Sequence, residues 1–102
     1  MIHVIADIEV TAGRRDEFLA AFKQLVPEVL AEEGCLEYGP TVDVSAGLDA
    51  QPAVRENVVT VVERWESVAA LQAHLAAAHM KSFRERCADL MQRVTIRVTQ
   101  PA

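Results

Sequence analysis

The chain has 102 residues, 51% of them hydrophobic, with fifteen acidic and ten basic side chains and a formal net charge of −5. This length supports one domain with a modest core, and this apolar content excludes a disordered chain. The acidic balance argues against nucleic acid or an anionic membrane surface as the main partner, and no apolar run approaches the ~20 residues that span a bilayer.

The opening Met1-Ile-His-Val-Ile-Ala-Asp7 has no basic segment and meets an acid too early for a secretory signal, so a cytoplasmic location is expected. Ile2 to Val10 alternates, with Ile2, Val4, Ala6, Ile8 and Val10 on one side and His3, Ile5, Asp7 and Glu9 on the other, which predicts a first strand. After the turn Thr11-Ala12-Gly13, the polar Arg14-Arg15-Asp16-Glu17 opens a helix. Its apolar stripe is Phe18, Phe22, Leu25, Val26, Val29 and Leu30, and it continues past Pro27, which predicts a kink rather than a stop. Gly34 suits a left-handed cap at the helix exit.

Cys35 to Val44 is a less regular second strand, and its central Gly39-Pro40 requires an edge position or a bulge. Ser45 to Glu56 is a loop longer than a hairpin needs, as expected of a segment that folds over something. The third strand, Asn57 to Trp65, holds the run Val58-Val-Thr-Val-Val62, which does not alternate and so suggests cover on both faces. Ser67 is the N-cap of a helix with Val68, Leu71 and Leu75 on one face. A further helical segment carries Met80, Phe83, Cys87 and Leu90 or Met91, and Arg93 to Thr99 alternates as the fourth strand. Cys35 and Cys87 lack metal-ligand spacing and are expected as free thiols.

Strand, helix, strand, strand, helix, strand is the order of two split βαβ units, an α+β ferredoxin-like domain over residues 1–102. It predicts a four-stranded antiparallel sheet with helices on one face. The bare face and the doubly apolar third strand then call for a second copy of the chain, a sheet-to-sheet homodimer.

No glycine-rich phosphate loop, dinucleotide fingerprint or serine nucleophile elbow is present, so nothing supports a flavin, nicotinamide or nucleotide cofactor. The polar candidates are His74, His79, Asn57, Trp65, Tyr38, Asp7 and Glu63. His74 borders the Leu71–Leu75 stripe, either as a satisfied structural residue or as a proton acceptor near neutral pH. On an unbroken helix His79 would point roughly 140° away from it, which argues against a metal pair unless the helix breaks near Ala78. Trp65 is either a core anchor or a pocket wall, and Asn57, on the same face of its strand, is either a turn residue or a hydrogen-bonding pocket group. Asp7 and Glu63 are expected to pair with arginines or to sit at strand ends. The alanines at 69, 70, 73, 76, 77 and 78, in a chain with five aromatic residues, leave room for an apolar cavity between helix and sheet.

Several stretches together resemble the antibiotic biosynthesis monooxygenase superfamily. They are Val4-Ile-Ala-Asp-Ile8 with Gly13, the helix exit Glu33-Gly34-Cys35 (Glu32-Glu-Gly-Cys35 in the closer match below), Glu63-Arg-Trp-Glu-Ser67, Ala73-His-Leu-Ala-Ala-Ala-His-Met80 and Ile96-Arg-Val-Thr-Gln-Pro101. Within it the small bacterial quinol monooxygenases are most similar, with further counterparts at Val26-Pro27, Val42-Asp43 and Ala46-Gly47. The resemblance implies a dimeric α+β barrel and an oxygenase that acts on a quinol or related electron-rich aromatic without flavin, haem or metal. It implies His74 as the base, Trp65 as a stacking wall, Asn57 as a hydrogen-bond partner of a substrate oxygen, and His79 as a further pocket residue; Tyr38, from the polar candidates, is expected as another substrate contact. Haem-degrading members carry asparagine, tryptophan and histidine where this chain has Asp7, His74 and Arg84, so haem degradation is not implied. Two other readings stay open. One is an isomerase or lyase on a small carbonyl or phosphorylated signal, for which Lys81, Arg84 and Arg86 are the candidate cations. The other is a non-catalytic dimeric ligand-binding module.

Overall fold

A computed structural model describes all 102 residues, Met1–Ala102. The elements are β1 (Ile2–Val10), α1 (Arg15–Leu30), β2 (Cys35–Thr41), β3 (Val58–Trp65), α2 (Val68–Leu75), α3 (Ala78–Arg86), a 3-10 turn (Ala88–Leu90) and β4 (Met91–Thr99). The four strands form one antiparallel sheet in the order β2-β3-β1-β4, as expected of the ferredoxin-like α+β arrangement.

The period-two reading of β1 holds residue by residue: Ile2, Val4, Ala6, Ile8 and Val10 are buried under the helices, while the intervening residues are partly or fully exposed. Phe18, Phe22, Leu25 and Val29 bury the stripe of α1, which runs through Pro27 to Leu30. Phe18 and Phe22 stack on each other, and Phe83 of α3 meets both edge-on. These aromatic contacts lock α1 to α3 beyond what area burial alone provides.

β2 is an edge strand, which explains how Gly39-Pro40 is tolerated, and its register shifts between Cys35 and Glu37. It ends at Thr41, three residues before the predicted limit, and the chain enters the long loop there. That loop folds back on the sheet: Arg55 bonds both Asp43 and Asp7, and Asp7 lies on the face away from the helices beside its strand neighbour Thr60. The predicted pairing of Asp7 with an arginine is therefore observed.

Gly34 has φ +82 and sits so close to α2 that a Cβ on it would lie 2.7 Å from the Ala70 Cβ. Its carbonyl accepts from Glu66 N at 2.8 Å, so the exit of α1 also fixes the start of α2. Ser67 caps α2 as predicted, its Oγ accepting from Ala70 N. The helical segment then breaks: Ala77 is extended, with φ −65 and ψ 143, and α3 starts in a new direction.

The helices leave β4 uncovered. Ala6 faces Ile96, Ile8 faces Val94 and Val4 faces Val98 across the β1–β4 ladder, so these three β4 residues share the helix side of the sheet, yet they are 44–49% exposed. The opposite face is more polar, with Asp7, Glu9, Arg64 and Arg97 beside Ile5 and Val62. Within the sheet, the open apolar side chains therefore cluster on the edge strand β4 rather than on the bare face, while the long loop exposes Val44, Leu48 and Val54.

Candidate active site

Three elements bring one histidine to the centre of the molecule. His74 lies in the last turn of α2 and is 2% exposed, with its ring 4.7 Å from the Trp65 ring and 5.4 Å from that of Tyr38. Its Nδ1 is 2.9 Å from Glu32 Oε2, in the turn that follows α1. His79, the second residue of α3, places its Nε2 2.7 Å from the same oxygen. The two histidines point apart only on an unbroken helix, and the helix breaks next to Ala78, where the exception was expected. The extended Ala77 redirects the chain, and both rings converge on Glu32.

A carboxylate oxygen accepts, so both ring nitrogens donate to it. The neutral His74 ring then carries its proton on Nδ1 and leaves Nε2 with a free lone pair. That nitrogen has no protein partner among the hydrogen bonds, and no fully buried side-chain nitrogen or oxygen lacks a partner. Nε2 therefore borders open space, and the space that His74 lines is a cavity of about 210 Å3. Burial pushes the His74 pKa down, with Glu32 acting in the opposite direction, so the ring is neutral at pH 7 and available to accept a proton.

Eleven of the fourteen residues that line the cavity are hydrophobic, so it suits an apolar ring. Phe22, Met80 and Phe83 supply the helical wall, Ala6, Ile8 and Val61 the floor, and Met91, Val94 and Ile96 the side along β4. The other three are His74, Glu63 and Arg84, and the Tyr38 hydroxyl, on a ring counted among the eleven, adds a fourth polar group. Tyr38 and Glu63 are direct neighbours across the β2–β3 ladder. Glu63 is 6% exposed, and its Oε1 accepts from Trp65 Nε1 at 2.8 Å. Its carboxyl is pushed up to about 7, chiefly by burial, with the Trp65 bond opposing and the negative Glu32 adding to the rise. The Tyr38 hydroxyl is likewise raised, by burial first and then by the nearby acids. Arg84 is the one arginine or lysine on the wall, and its Nη2 donates to the Leu75 carbonyl at 3.0 Å.

Among the residues expected in the pocket, the structure brings His74 and Tyr38 to the cavity and places the others off its wall. Trp65 is fully buried behind His74 and supports the ring and Glu63 instead of facing the cavity. Asn57 is at the opposite end of β3, about 26 Å along the strand from Trp65. There its Oδ1 accepts a long bond from Gly13 N, the turn role that its position also allowed. Sharing a strand face did not mean sharing an end. His79 backs Glu32 at the surface side and does not line the cavity. The expected cavity exists, but it lies between α3 and β4 and not beneath the alanine run, where Ala70 instead admits the close approach of Gly34.

Glu63, expected beside an arginine or at a strand end, is instead buried within β3 with Trp65 as its partner, and Glu32, part of the α1 exit in sequence, is a site residue in the fold. Glu63 was detectable: it falls in step with Val59, Val61 and Trp65, so the strand period alone puts a carboxyl in the core. Glu32 left no such trace, because its meeting with residues 74 and 79 depends on the break at Ala77.

A profile for antibiotic biosynthesis monooxygenase matches residues 1–86. The chain belongs to this family. An Escherichia coli K12 relative named probable quinol monooxygenase YgiN is 41% identical over 103 residues, covering 99% of this chain and 98% of its own. Among solved structures, a conserved Methanosarcina mazei protein superposes with a TM-score of 0.82 at 24% identity, covering 99% of this chain and 92% of its own. A Pseudomonas aeruginosa protein gives 0.79 at 25% identity, covering 99% and 94%. These confirm the ferredoxin-like fold of the family, and the curated relative adds a sequence match that runs nearly end to end.

Proposed function

We propose that the protein is a quinol monooxygenase that uses no flavin, haem or metal in turnover. The observation that carries this reading is the free Nε2 of His74, held by Glu32 and aimed into an apolar cavity. The Escherichia coli relative, named a probable quinol monooxygenase, points to the same substrate class.

In this reading the aromatic ring of the quinol lies among Phe22, Met80 and Phe83. His74 Nε2 takes a phenolic proton, and the imidazolium that forms is stabilised through Nδ1–H by the Glu32 carboxylate, the logic of a histidine backed by an acid. The resulting quinolate is electron-rich enough to reduce dioxygen directly. One oxygen atom bonds to a ring carbon, and the other leaves as water with the two protons released from the substrate. Hydroquinone and dioxygen thus give hydroxyquinone and water, with atoms and electrons balanced. Glu63, with its carboxyl near 7, supplies a proton donor next to the reacting ring, and the apolar wall, once its open β4 side is covered, keeps bulk water from the intermediates. Tyr38 and Arg84 offer hydrogen bonds to substrate oxygens.

A homodimer belongs to the same proposal, but seated on β4 and not on the bare sheet face where it was expected, which is the more polar side. The exposed Val94 and Ile96 form one side of the cavity, so a second copy seated on β4 would shield it from water. The phosphorylated-ligand reading is less well served, since the cavity offers one arginine and that arginine already bonds a backbone carbonyl.

Turnover of menadiol under 18O-labelled dioxygen tests the reaction. A quinone product heavier by one labelled oxygen supports a monooxygenase. Unlabelled quinone with labelled peroxide would reduce the activity to simple quinol oxidation.

A further inference from the structure

We propose that Glu32, His74 and His79 form a binding site for a divalent transition-metal ion of the zinc class, and that filling the site disables the histidine base. The three donor atoms, a carboxylate oxygen and two imidazole nitrogens, lie within 4.8 Å of one another. Two histidines and one acid are a set that zinc accepts while keeping its fourth position open. Imidazole donors favour zinc, copper, nickel or cobalt over magnesium or calcium.

The arrangement is built for capture. His74 is held against Trp65 and Tyr38, so it loses little freedom on binding an ion. The side-chain exposures of 2% for His74, 13% for Glu32 and 25% for His79 leave an entry path on the His79 side. Metal-ligand distances near 2.0–2.2 Å require a shift of roughly an ångström, which the outer His79 ring can supply. Two hydrogen bonds must give way, and only three protein ligands are offered, so binding weaker than at a four-ligand structural site is expected.

The consequence follows from proton positions. In the hydrogen-bonded cluster the His74 proton sits on Nδ1. An ion on Nδ1 displaces it, and a neutral imidazole must then carry its proton on Nε2, the atom that faces the cavity. The base becomes a donor and cannot accept a phenolic proton. This inhibition rests on the proposed role of His74; the metal site does not.

Binding is tested by titrating chelator-treated protein with Co2+, followed by its visible absorption, and with Zn2+ by calorimetry. One saturable equivalent is expected. Glu32→Gln, which keeps an acceptor of the same shape, and His79→Ala, at the outer edge, should each weaken binding roughly tenfold or more with thermal melts confirming the fold. Nitrogen-15 spectra should show the His74 proton moving from Nδ1 to Nε2 as Zn2+ is added, and menadiol turnover should fall in step and return with chelator. No saturable binding, or equal binding in both variants, overturns the site. Binding without the tautomer change overturns the switch. If metal-free protein shows no turnover at all, the quinol reading fails while the binding and spectral results still decide the metal site.

Discussion

Trp65 Nε1 donates to Glu63 Oε1 at 2.8 Å along the buried face of β3, two residues apart on the same strand. The bond satisfies one oxygen of a carboxyl that has no basic partner, and the tryptophan that makes it also supports the His74 ring. A core residue thus connects the two groups that are proposed to move protons. Its consequences for stability and turnover can be measured separately.

Glu63 should make stability depend on pH. An ordinary glutamate releases its proton near 4.5, whereas Glu63 holds it to about 7, so between these values the folded chain keeps a proton that the unfolded chain has lost. Stability therefore falls as pH rises across that window and levels off above it, by about 3 kcal/mol at most. His74 acts in the opposite sense: its lowered pKa removes stability as pH falls below 6.5. Glu63→Gln, which retains an acceptor for Trp65, should stabilise the protein at pH 8 by about 2–3 kcal/mol and change little at pH 5. Equal denaturant midpoints for variant and parent at pH 8 would contradict the assignment.

Glu32 should act on rate more than on substrate affinity. In Glu32→Gln an acceptor for His74 Nδ1–H remains, but the charge that stabilises the imidazolium is gone. A fall in kcat of roughly ten- to a hundredfold is expected, with KM within a few fold. Steady-state kinetics on menadiol would expose the alternative, a rise in KM with kcat unchanged.

Gly34→Ala should be costly although the glycine lies in a turn. Its positive φ strains any side chain, and the new Cβ would meet the Ala70 Cβ at 2.7 Å. Strain and overpacking together predict a loss of about 2–4 kcal/mol in chemical denaturation. A loss below about 0.5 kcal/mol, the scale of an ordinary surface change, would show that α2 shifts freely.

The proposed dimer places Val98 at the interface without making it part of the cavity. A charge there would have to be buried unpaired, so Val98→Glu should sediment as a monomer at concentrations where the parent is dimeric. A parent that sediments as a monomer would remove the dimer from the account.

The fold was legible because its signals are local. The alternation of β1, the Phe18–Val29 stripe and the Ser67 cap each follow from spacing within one element. The site was legible only in part. His74 stood out by its chemistry and its place beside the Leu71 stripe, but the role of Glu32 depends on a two-residue break that three alanines do not announce. Asn57 and Trp65 show the opposite error: strand period correctly gave a shared face but carried no information about which end of the strand the cavity occupies.

The most direct test of the account is oxygen uptake by metal-free protein given menadiol, with His74→Ala measured in parallel. The account predicts uptake well above the autoxidation background in the parent and its loss, by roughly a hundredfold or more, in the variant. Equal uptake by both proteins would contradict the placement of His74 as the base, and background uptake by the parent would contradict the quinol reaction itself.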